Sequence, residues 1–191
     1  MAPSLIYLHG FNSSPQSVKA QQLASYVRET LPDIQVHIPQ LPVTPLAAWT
    51  FLQRLMDSLA GSTIGIVGSS LGGFWATRIA EQYGCQVVAV NPVVHPQYLL
   101  NQLLGPQENP YTQEQYVLTD THVAELTHLD IPSLQFPELI WLLQQQGDEV
   151  LDYRQSLAFY HFSRITSELG GNHAFIGFER YCAQIVRFLQ L

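Results

Sequence analysis

The residues best suited to chemistry lie where a strand-like stretch of the chain meets a helical one. Residues 63–67 are apolar and mostly β-branched, and Gly68-Ser69-Ser70-Leu71-Gly72 follows directly. A serine with glycines two positions to either side fits a very tight turn, because larger side chains there would collide with the adjacent strand and helix. Its hydroxyl then stands exposed and can attack a carbonyl carbon. This frame selects Ser70, since bulky residues occupy the same offsets from Ser69.

The spacing of Gly68, Ser70 and Gly72 also fits an ordinary glycine-rich turn. A catalytic interpretation therefore requires a base and an acid from other parts of the chain. A serine nucleophile transfers its proton to a base, which is most often a histidine oriented by a carboxylate. His173 is the candidate base, because it alone among the histidines after Ser70 lies in a glycine-rich loop behind an expected strand. Asp148 is the candidate acid, because it follows the turn glycine after the preceding strand. Asp148 could instead cap the next helix, although Asp152 is better placed as a cap and is the reserve acid.

Acyl transfer also requires two backbone N–H groups that stabilise the negative oxygen of the intermediate. We expect one from Leu71, which follows the nucleophile at the positive end of a helix. We expect the other from Phe11, in the loop after the first strand, with Asn12 as the alternative donor. His9 is predicted to hold the shape of that loop by hydrogen bonding rather than to take part in catalysis.

Strands and helices alternate along the chain, which is typical of a parallel sheet with helices on both faces. Right-handed crossovers predict the strand order 2-1-3-4-5-6, with a switch point between the first and third strands. Ser70 and the loop of Phe11 would therefore meet at one edge of the sheet. The expected strands are residues 5–8, 34–38, 63–67, 86–90, 138–143 and 162–168, and the expected helices are residues 17–31, 47–59, 74–83, 153–160 and 178–189.

Residues from about 94 to 137 lack this alternation, because prolines, glutamines and other polar residues interrupt any periodicity. We expect an insert with only short helices, such as one near residues 96–104, inside a single domain that spans residues 1–191. The insert would form a lid and an acyl pocket. Its candidate lining residues, each of which fits the protein core equally well, are Tyr98, Leu99, Leu103, Tyr111, Tyr116 and Phe136.

Charge and composition exclude several classes of partner. The 191 residues carry a net charge of −7, with no basic stripe that could follow a phosphate backbone, which argues against nucleic acid and anionic membrane surfaces. The sequence shows neither a signal peptide nor a membrane span, so we expect a cytoplasmic protein whose two cysteines are buried thiols. The insert's histidines match no metal spacing and the glycines match no nucleotide motif, so we expect neither metal nor cofactor.

Four motifs, in this order, resemble the YqiA-like esterases, a family of small bacterial α/β-hydrolases. The resemblance rests on Tyr7-Leu8-His9-Gly10-Phe11-Asn12, Gly68-Ser69-Ser70-Leu71-Gly72-Gly73, Gly147-Asp148-Glu149-Val150 and Gly170-Gly171-Asn172-His173. It covers nearly the whole chain and implies a minimal α/β-hydrolase fold with Ser70, Asp148 and His173 as the catalytic residues. It also implies a cytoplasmic serine esterase without cofactor, acting on small-molecule acyl esters or thioesters.

Three functions therefore compete. The leading hypothesis is hydrolysis of a carboxylic ester through an acyl-enzyme. The runner-up is an acyl-CoA thioesterase with the same catalytic residues, in which Arg154 or Arg164 would have to hold the phosphates because the chain has a single lysine. The third is a non-catalytic binding protein on a hydrolase fold, which an intact set of catalytic residues argues against.

Overall fold

Six parallel strands form the centre of the protein, which a computed structural model describes over residues 2–191. The strands in chain order are β1 (Ser4–Leu8), β2 (Gln35–His37), β3 (Ile64–Ser69), β4 (Gln86–Val90), β5 (Gly105–Glu108), β6 (Gln115–Leu118), β7 (Ile140–Gln145) and β8 (Arg164–Glu168). The central sheet has the order β2-β1-β3-β4-β7-β8, and all its neighbouring pairs are parallel. Because β5 and β6 lie in the insert, the predicted order 2-1-3-4-5-6 is confirmed.

Helices cover both faces of this sheet. They are α1 (Val18–Thr30), α2 (Pro45–Ser58), α3 (Leu71–Tyr83), α4 (Pro96–Asn101), α5 (Asp120–Leu129), α6 (Tyr153–Phe159) and α7 (Cys182–Phe188). Successive side chains of a strand point to opposite faces, so β1 contributes to two separate cores. Ile6 and Leu8 pack with α2, α3 and α5, whereas Leu5 and Tyr7 pack with α1 and α7.

The insert contains more regular structure than its sequence predicted. The expected short helix near residues 96–104 is present as α4, and a second helix, α5, extends over 10 residues. In addition, β5 and β6 pair as an antiparallel hairpin, which was not predicted. Each hairpin strand has only four residues, and the glycine and proline of β5 and the consecutive apolar residues of β6 leave no clear alternation to detect. α5 begins with a capping box in which His122 takes the place of the acidic or amide side chain that normally marks such a start.

Several element boundaries also differ from expectation. A 3₁₀ turn at Pro137–Leu139 precedes β7, so that strand begins at Ile140 rather than at residue 138. The closing helix is divided into a 3₁₀ turn, Phe178–Tyr181, and α7. Val18 fits the apolar face of α1 by its spacing, but its side chain is 72% exposed because it lies in the first turn, beyond the core.

The turn between β3 and α3 leaves no space for side chains at two of its glycines. A Cβ on Gly68 would collide with the backbone of Gly72, and a Cβ on Gly72 would collide with the carbonyl group of Leu8 in β1. Ser70 has φ 56° and ψ −121°, which is a strained conformation for a residue with a side chain. The tight turn predicted from the spacing of the glycines is therefore present.

Gly72→Ala should destabilise the fold by about 3 kcal/mol, because the added methyl group meets rigid backbone of β1 rather than a flexible side chain. Chemical denaturation measures the free energy of unfolding. Gly84→Ala is the matched control: Gly84 ends α3 at φ 69° with open space around its Cβ position, so only the backbone conformation costs energy, about 1 kcal/mol. Equal stability of the two variants would contradict this explanation of the turn.

Candidate active site

A continuous chain of hydrogen bonds joins Asp148, His173 and Ser70 above the carboxyl ends of the strands. Nε2 of His173 lies 3.1 Å from Oγ of Ser70, and Nδ1 of the same ring lies 2.8 Å from Oδ2 of Asp148. The three residues come from the turn after β3, the loop after β7 and the loop after β8. The residues selected from the sequence as nucleophile, base and acid are therefore brought together in space.

The carboxylate of Asp148 is fully buried and satisfied on both oxygens. Its side chain is 0% exposed, and Oδ1 accepts hydrogen bonds from the amides of Val150 and Leu151 while Oδ2 faces His173. Burial raises the pKa of this carboxyl, but the hydrogen bonds from His173 and from the two amides, together with the charge of His173, outweigh burial and leave the pKa below its ordinary value. Asp148 is thus held as an anion, whereas Asp152 is the residue that caps α6.

The two amides expected to stabilise an oxyanion are close to Ser70 and have no competing partner. Gly10 packs directly against the nucleophile, since a Cβ built on it would lie 3.1 Å from Cβ of Ser70, and Phe11 follows it along the wall of the same cleft. Leu71 is the first residue of α3. Within residues 2–191, neither the amide of Phe11 nor that of Leu71 donates a hydrogen bond.

His9 shapes the loop that carries Phe11. Nε2 of its buried ring accepts a hydrogen bond from the amide of Leu41 at 3.0 Å, so Nδ1 carries the proton and donates to the carbonyl of Gly10 at 2.9 Å. Burial lowers the pKa of His9, and the hydrogen bond to Gly10 opposes that fall. His9 therefore acts on the shape of the loop, as the sequence predicted.

The insert hairpin is bonded to the same loop. The hydroxyl of Tyr116 donates to Oδ1 of Asn12 at 2.7 Å, and Nδ2 of Asn12 donates to Gln107 at 3.3 Å. Nδ2 of Asn109 donates to the carbonyl of Ser13 at 2.9 Å. The side chain of Asn12 therefore braces the loop against the hairpin, while its backbone amide stays the alternative to that of Phe11 as the second oxyanion donor.

Two buried amide side chains, neither of them predicted, hold the loop of His173. Asn91, at the end of β4, is 0% exposed; its Nδ2 donates to the carbonyls of Asn172 and His173, and its Oδ1 accepts from the amide of Gln145. Oε1 of Gln145 accepts from the amides of Asn172 and Ile176. The only available signal was that Asn91 ends an apolar strand at a position where a polar side chain must be buried.

A cleft of about 400 Å³ opens beside Ser70. Of the six aromatic and aliphatic residues of the insert proposed to line an acyl pocket, only Tyr111 borders this cleft; Tyr98 and Leu99 border a smaller neighbouring cavity of about 160 Å³. The cleft is lined by Tyr7, Gly10, Phe11, Ser13, Ser17, Val18, Lys19, Ser69, Ser70, Tyr111, Glu149, His173 and Ala174. Its walls therefore come from α1 and the loops after β1, β7 and β8 more than from the insert.

The remaining histidine and cysteine candidates lie outside the cleft beside Ser70. Nδ1 of His95 lies 2.8 Å from Oδ2 of Asp130, and this pair joins the two ends of the insert's helical part. Among residues 2–191 no three histidine, cysteine or acidic side chains cluster as metal ligands, and no helix is long and apolar enough to cross a bilayer. Cys182 is a buried free thiol as expected, whereas the free thiol of Cys85 is only partly buried.

Solved structures share this architecture at low sequence identity. Est1E from Butyrivibrio proteoclasticus has a TM-score of 0.78 at 14% identity, over 99% of this chain and 87% of its own. Alpha/beta hydrolase domain-containing protein 10 from mouse has a TM-score of 0.75 at 15% identity, over 100% and 90%. A thioesterase domain from the curacin biosynthetic pathway has a TM-score of 0.63 at 14% identity, over 97% and 91%. The fold is therefore that of the α/β-hydrolases.

The family follows from the sequence itself. A model of the uncharacterised protein family UPF0227 matches residues 4–190. The chain belongs to this family, the YqiA-like family that its four motifs resemble. The match covers nearly the whole chain, which confirms the resemblance.

Asn91→Ala should lower the free energy of unfolding by about 3 kcal/mol, because it leaves the buried amide of Gln145 and two carbonyls of the His173 loop without partners. Urea denaturation measures the change. Gln115→Ala removes an exposed amide that bonds to Glu108 and is expected to change stability by no more than about 0.5 kcal/mol. A loss in Asn91→Ala no larger than in this control would show that the loop does not depend on Asn91.

Proposed function

We propose that the protein is a serine hydrolase that cleaves carboxylic esters through an acyl-enzyme. The observation that carries the proposal is the unbroken chain of hydrogen bonds from the buried carboxylate of Asp148 through His173 to Ser70. That chain borders an open cleft, so an ester could reach the serine oxygen. A nucleophile, a base and an orienting carboxylate in this order can carry out acyl transfer.

The proposed first half-reaction forms the acyl-enzyme. Oγ of Ser70 attacks the ester carbonyl carbon while Nε2 of His173 accepts the hydroxyl proton. When the tetrahedral intermediate collapses, the bond between the carbonyl carbon and the alcohol oxygen breaks, and His173 donates the proton to the departing alcohol. Asp148 keeps the ring in the tautomer that presents Nε2 to the serine, and its negative charge stabilises the imidazolium.

The second half-reaction releases the acid. A water molecule gives a proton to His173 and attacks the acyl carbon, and the second intermediate collapses with return of that proton to Oγ of Ser70. In both intermediates the carbonyl oxygen is negatively charged. The unpaired amides of Phe11 and Leu71 are the proposed donors to this oxygen, and the positive end of α3 supports the second one.

The comparisons support the proposal at the level of the fold. One similar structure is an esterase by its name, Est1E, and another is a thioesterase domain, but the low identities carry no substrate to this chain. The resemblance to the YqiA-like esterases implies a cytoplasmic ester hydrolase without cofactor. We propose that this protein, too, is cytoplasmic and works without a cofactor.

Thioester hydrolysis by the same residues is the second candidate. The cation beside the serine that could hold a phosphate is not either of the two arginines suggested by the sequence. Neither arginine borders the cleft. Arg154 pairs with Asp152, and the guanidinium carbon of Arg164 lies 4.0 Å from the ring centre of Trp141. Lys19 borders the cleft instead. Turnover of an ester and a thioester with the same acyl chain separates the two reactions, and failure to hydrolyse either would favour a binding protein.

Ser70→Ala should reduce ester turnover by about 10⁴-fold or more while the protein stays folded, because it removes the oxygen that is proposed to carry the acyl group and that lies 3.1 Å from His173. Labelling by a fluorophosphonate probe and hydrolysis of 4-nitrophenyl esters are the measurements. Ser69→Ala is the matched control, since Ser69 borders the same cleft but bonds to neither His173 nor Asp148. It should keep its labelling. Loss of labelling in Ser69→Ala with retention in Ser70→Ala would overturn the choice of nucleophile.

Asp148→Asn should lower kcat by about 10³- to 10⁴-fold, because an amide at this position no longer favours the required tautomer or stabilises the imidazolium. Asp152→Asn replaces another acid of the same loop, the one that caps α6, and should cost at most about 1 kcal/mol of stability with little effect on kcat. Steady-state kinetics at neutral pH compares the two variants. Equal kinetic losses would count against Asp148 as the orienting acid.

A further inference from the structure

Lys19 is the chain's single lysine and the single cationic side chain among the residues that border the cleft beside Ser70. It lies in the first turn of α1, and its Nζ donates a hydrogen bond to the carbonyl of Ala174 at 2.8 Å. Ala174 directly follows His173. The ammonium group therefore sits on the same wall of the cleft as the proposed base, although nothing in the reaction described above requires it.

The charge of Lys19 has no counter-ion. Across residues 2–191 its ammonium forms no salt bridge and no hydrogen bond other than that to Ala174, which leaves two of its three N–H donors without a protein partner. Burial lowers the pKa of Lys19 to about 8, and the negative charge of Asp148 opposes only part of that fall. A partly buried cation without a partner is energetically costly unless a ligand supplies the missing charge.

We propose that Lys19 binds a carboxylate on the substrate, so that the preferred substrates are esters in which either the acyl or the alcohol part carries a free acid group. The inference rests on the proposed esterase function and names its substrate class. Two free N–H donors suit the two oxygens of a carboxylate, and a single positive charge balances a single negative one.

The other charges of the site determine how this recognition must work. Glu149 borders the same cleft, where its carboxylate accepts a hydrogen bond from the amide of His173, and the protein carries a net charge of −7. An anionic ester is therefore not attracted from a distance. Selectivity arises only when the carboxylate contacts Nζ directly, because a charge-assisted hydrogen bond in a partly buried site outweighs the weak repulsion of exposed charges.

The test compares matched anionic and neutral esters. One pair places the charge on the acyl side, the 4-nitrophenyl monoester of adipic acid against its uncharged adipamate analogue. The other pair places it on the alcohol side, the butyrate ester of 4-hydroxybenzoate against that of 4-hydroxybenzamide. The readout is the ratio of kcat/KM for the anionic ester to that for the neutral ester, in which any general effect on His173 cancels.

In Lys19→Met we expect this ratio to fall about tenfold or more in at least one pair, and Lys19→Arg should retain most of it. Arg28→Met is the control, since it removes a positive charge from the exposed far end of the same helix and should leave the ratio unchanged. Unchanged ratios in Lys19→Met for both pairs would overturn the proposal. Equal losses on all four esters do the same, because they indicate that Lys19 only supports the His173 loop through Ala174.

Two further measurements keep the proposal testable if a variant does not fold or the esters are not turned over. In the wild-type protein, the ratio should be high below pH 8 and fall above it, because Lys19 loses its charge there; a ratio independent of pH from 7 to 9.5 contradicts the proposal. Calorimetric binding of the adipate and hydroxybenzoate esters to Ser70→Ala, with and without Lys19→Met, examines the site without catalysis. Binding that depends on Lys19 without turnover in the wild type would refute the esterase and keep the carboxylate site.

Discussion

The geometry of the candidate active site depends on the lack of space around the turn between β3 and α3. The backbone of Gly72 lies so close to the carbonyl of Leu8 that no side chain fits between them. That contact joins α3 to the end of β1, where the loop that carries Phe11 begins, and Gly10 of this loop packs against Ser70. The same contact also drives Ser70 into a backbone conformation that side chains rarely adopt. The exposed hydroxyl is therefore a consequence of packing, with the strain carried by the sheet and the helix around it.

Buried polar side chains complete this geometry. Asn91 and Gln145 project from the ends of neighbouring strands and satisfy consecutive backbone groups of the His173 loop. Because a buried amide that loses its partner is costly, the loop has one favourable position relative to the sheet. The position of the loop fixes the position of the His173 ring, and the hydrogen bond from that ring to Asp148 determines how the ring is rotated. Position and orientation thus come from different residues.

Local patterns were enough to predict much of this protein. Four of the six central strands, β1, β3, β4 and β7, are short and largely apolar with a turn signal behind them. The handedness of crossovers then gives the order of the sheet and the edge where Ser70, Asp148 and His173 meet. The insert hairpin was missed because each of its strands has only four residues and β5 contains a glycine and a proline, which are typical of turns rather than strands. The role of Asn91 was missed because it depends on contacts with residues more than 50 positions away. Lys19 was missed because its helix lies far from Ser70 in the sequence, and only the packing of α1 brings its ammonium to Ala174.

The hydrogen bonds from Asn109 and Tyr116 to the loop after β1 have a mechanical consequence. The hairpin cannot swing away as an independent flap, because any displacement that preserves these bonds drags Ser13 and Asn12, and with them the neighbouring amide of Phe11. Admission of a substrate by that route would disturb the group that is proposed to stabilise its transition state. The walls of the cleft that come from the start of α1 and the loop of His173 are joined to each other instead, through the hydrogen bond from Lys19 to Ala174, and carry none of these bonds to the hairpin.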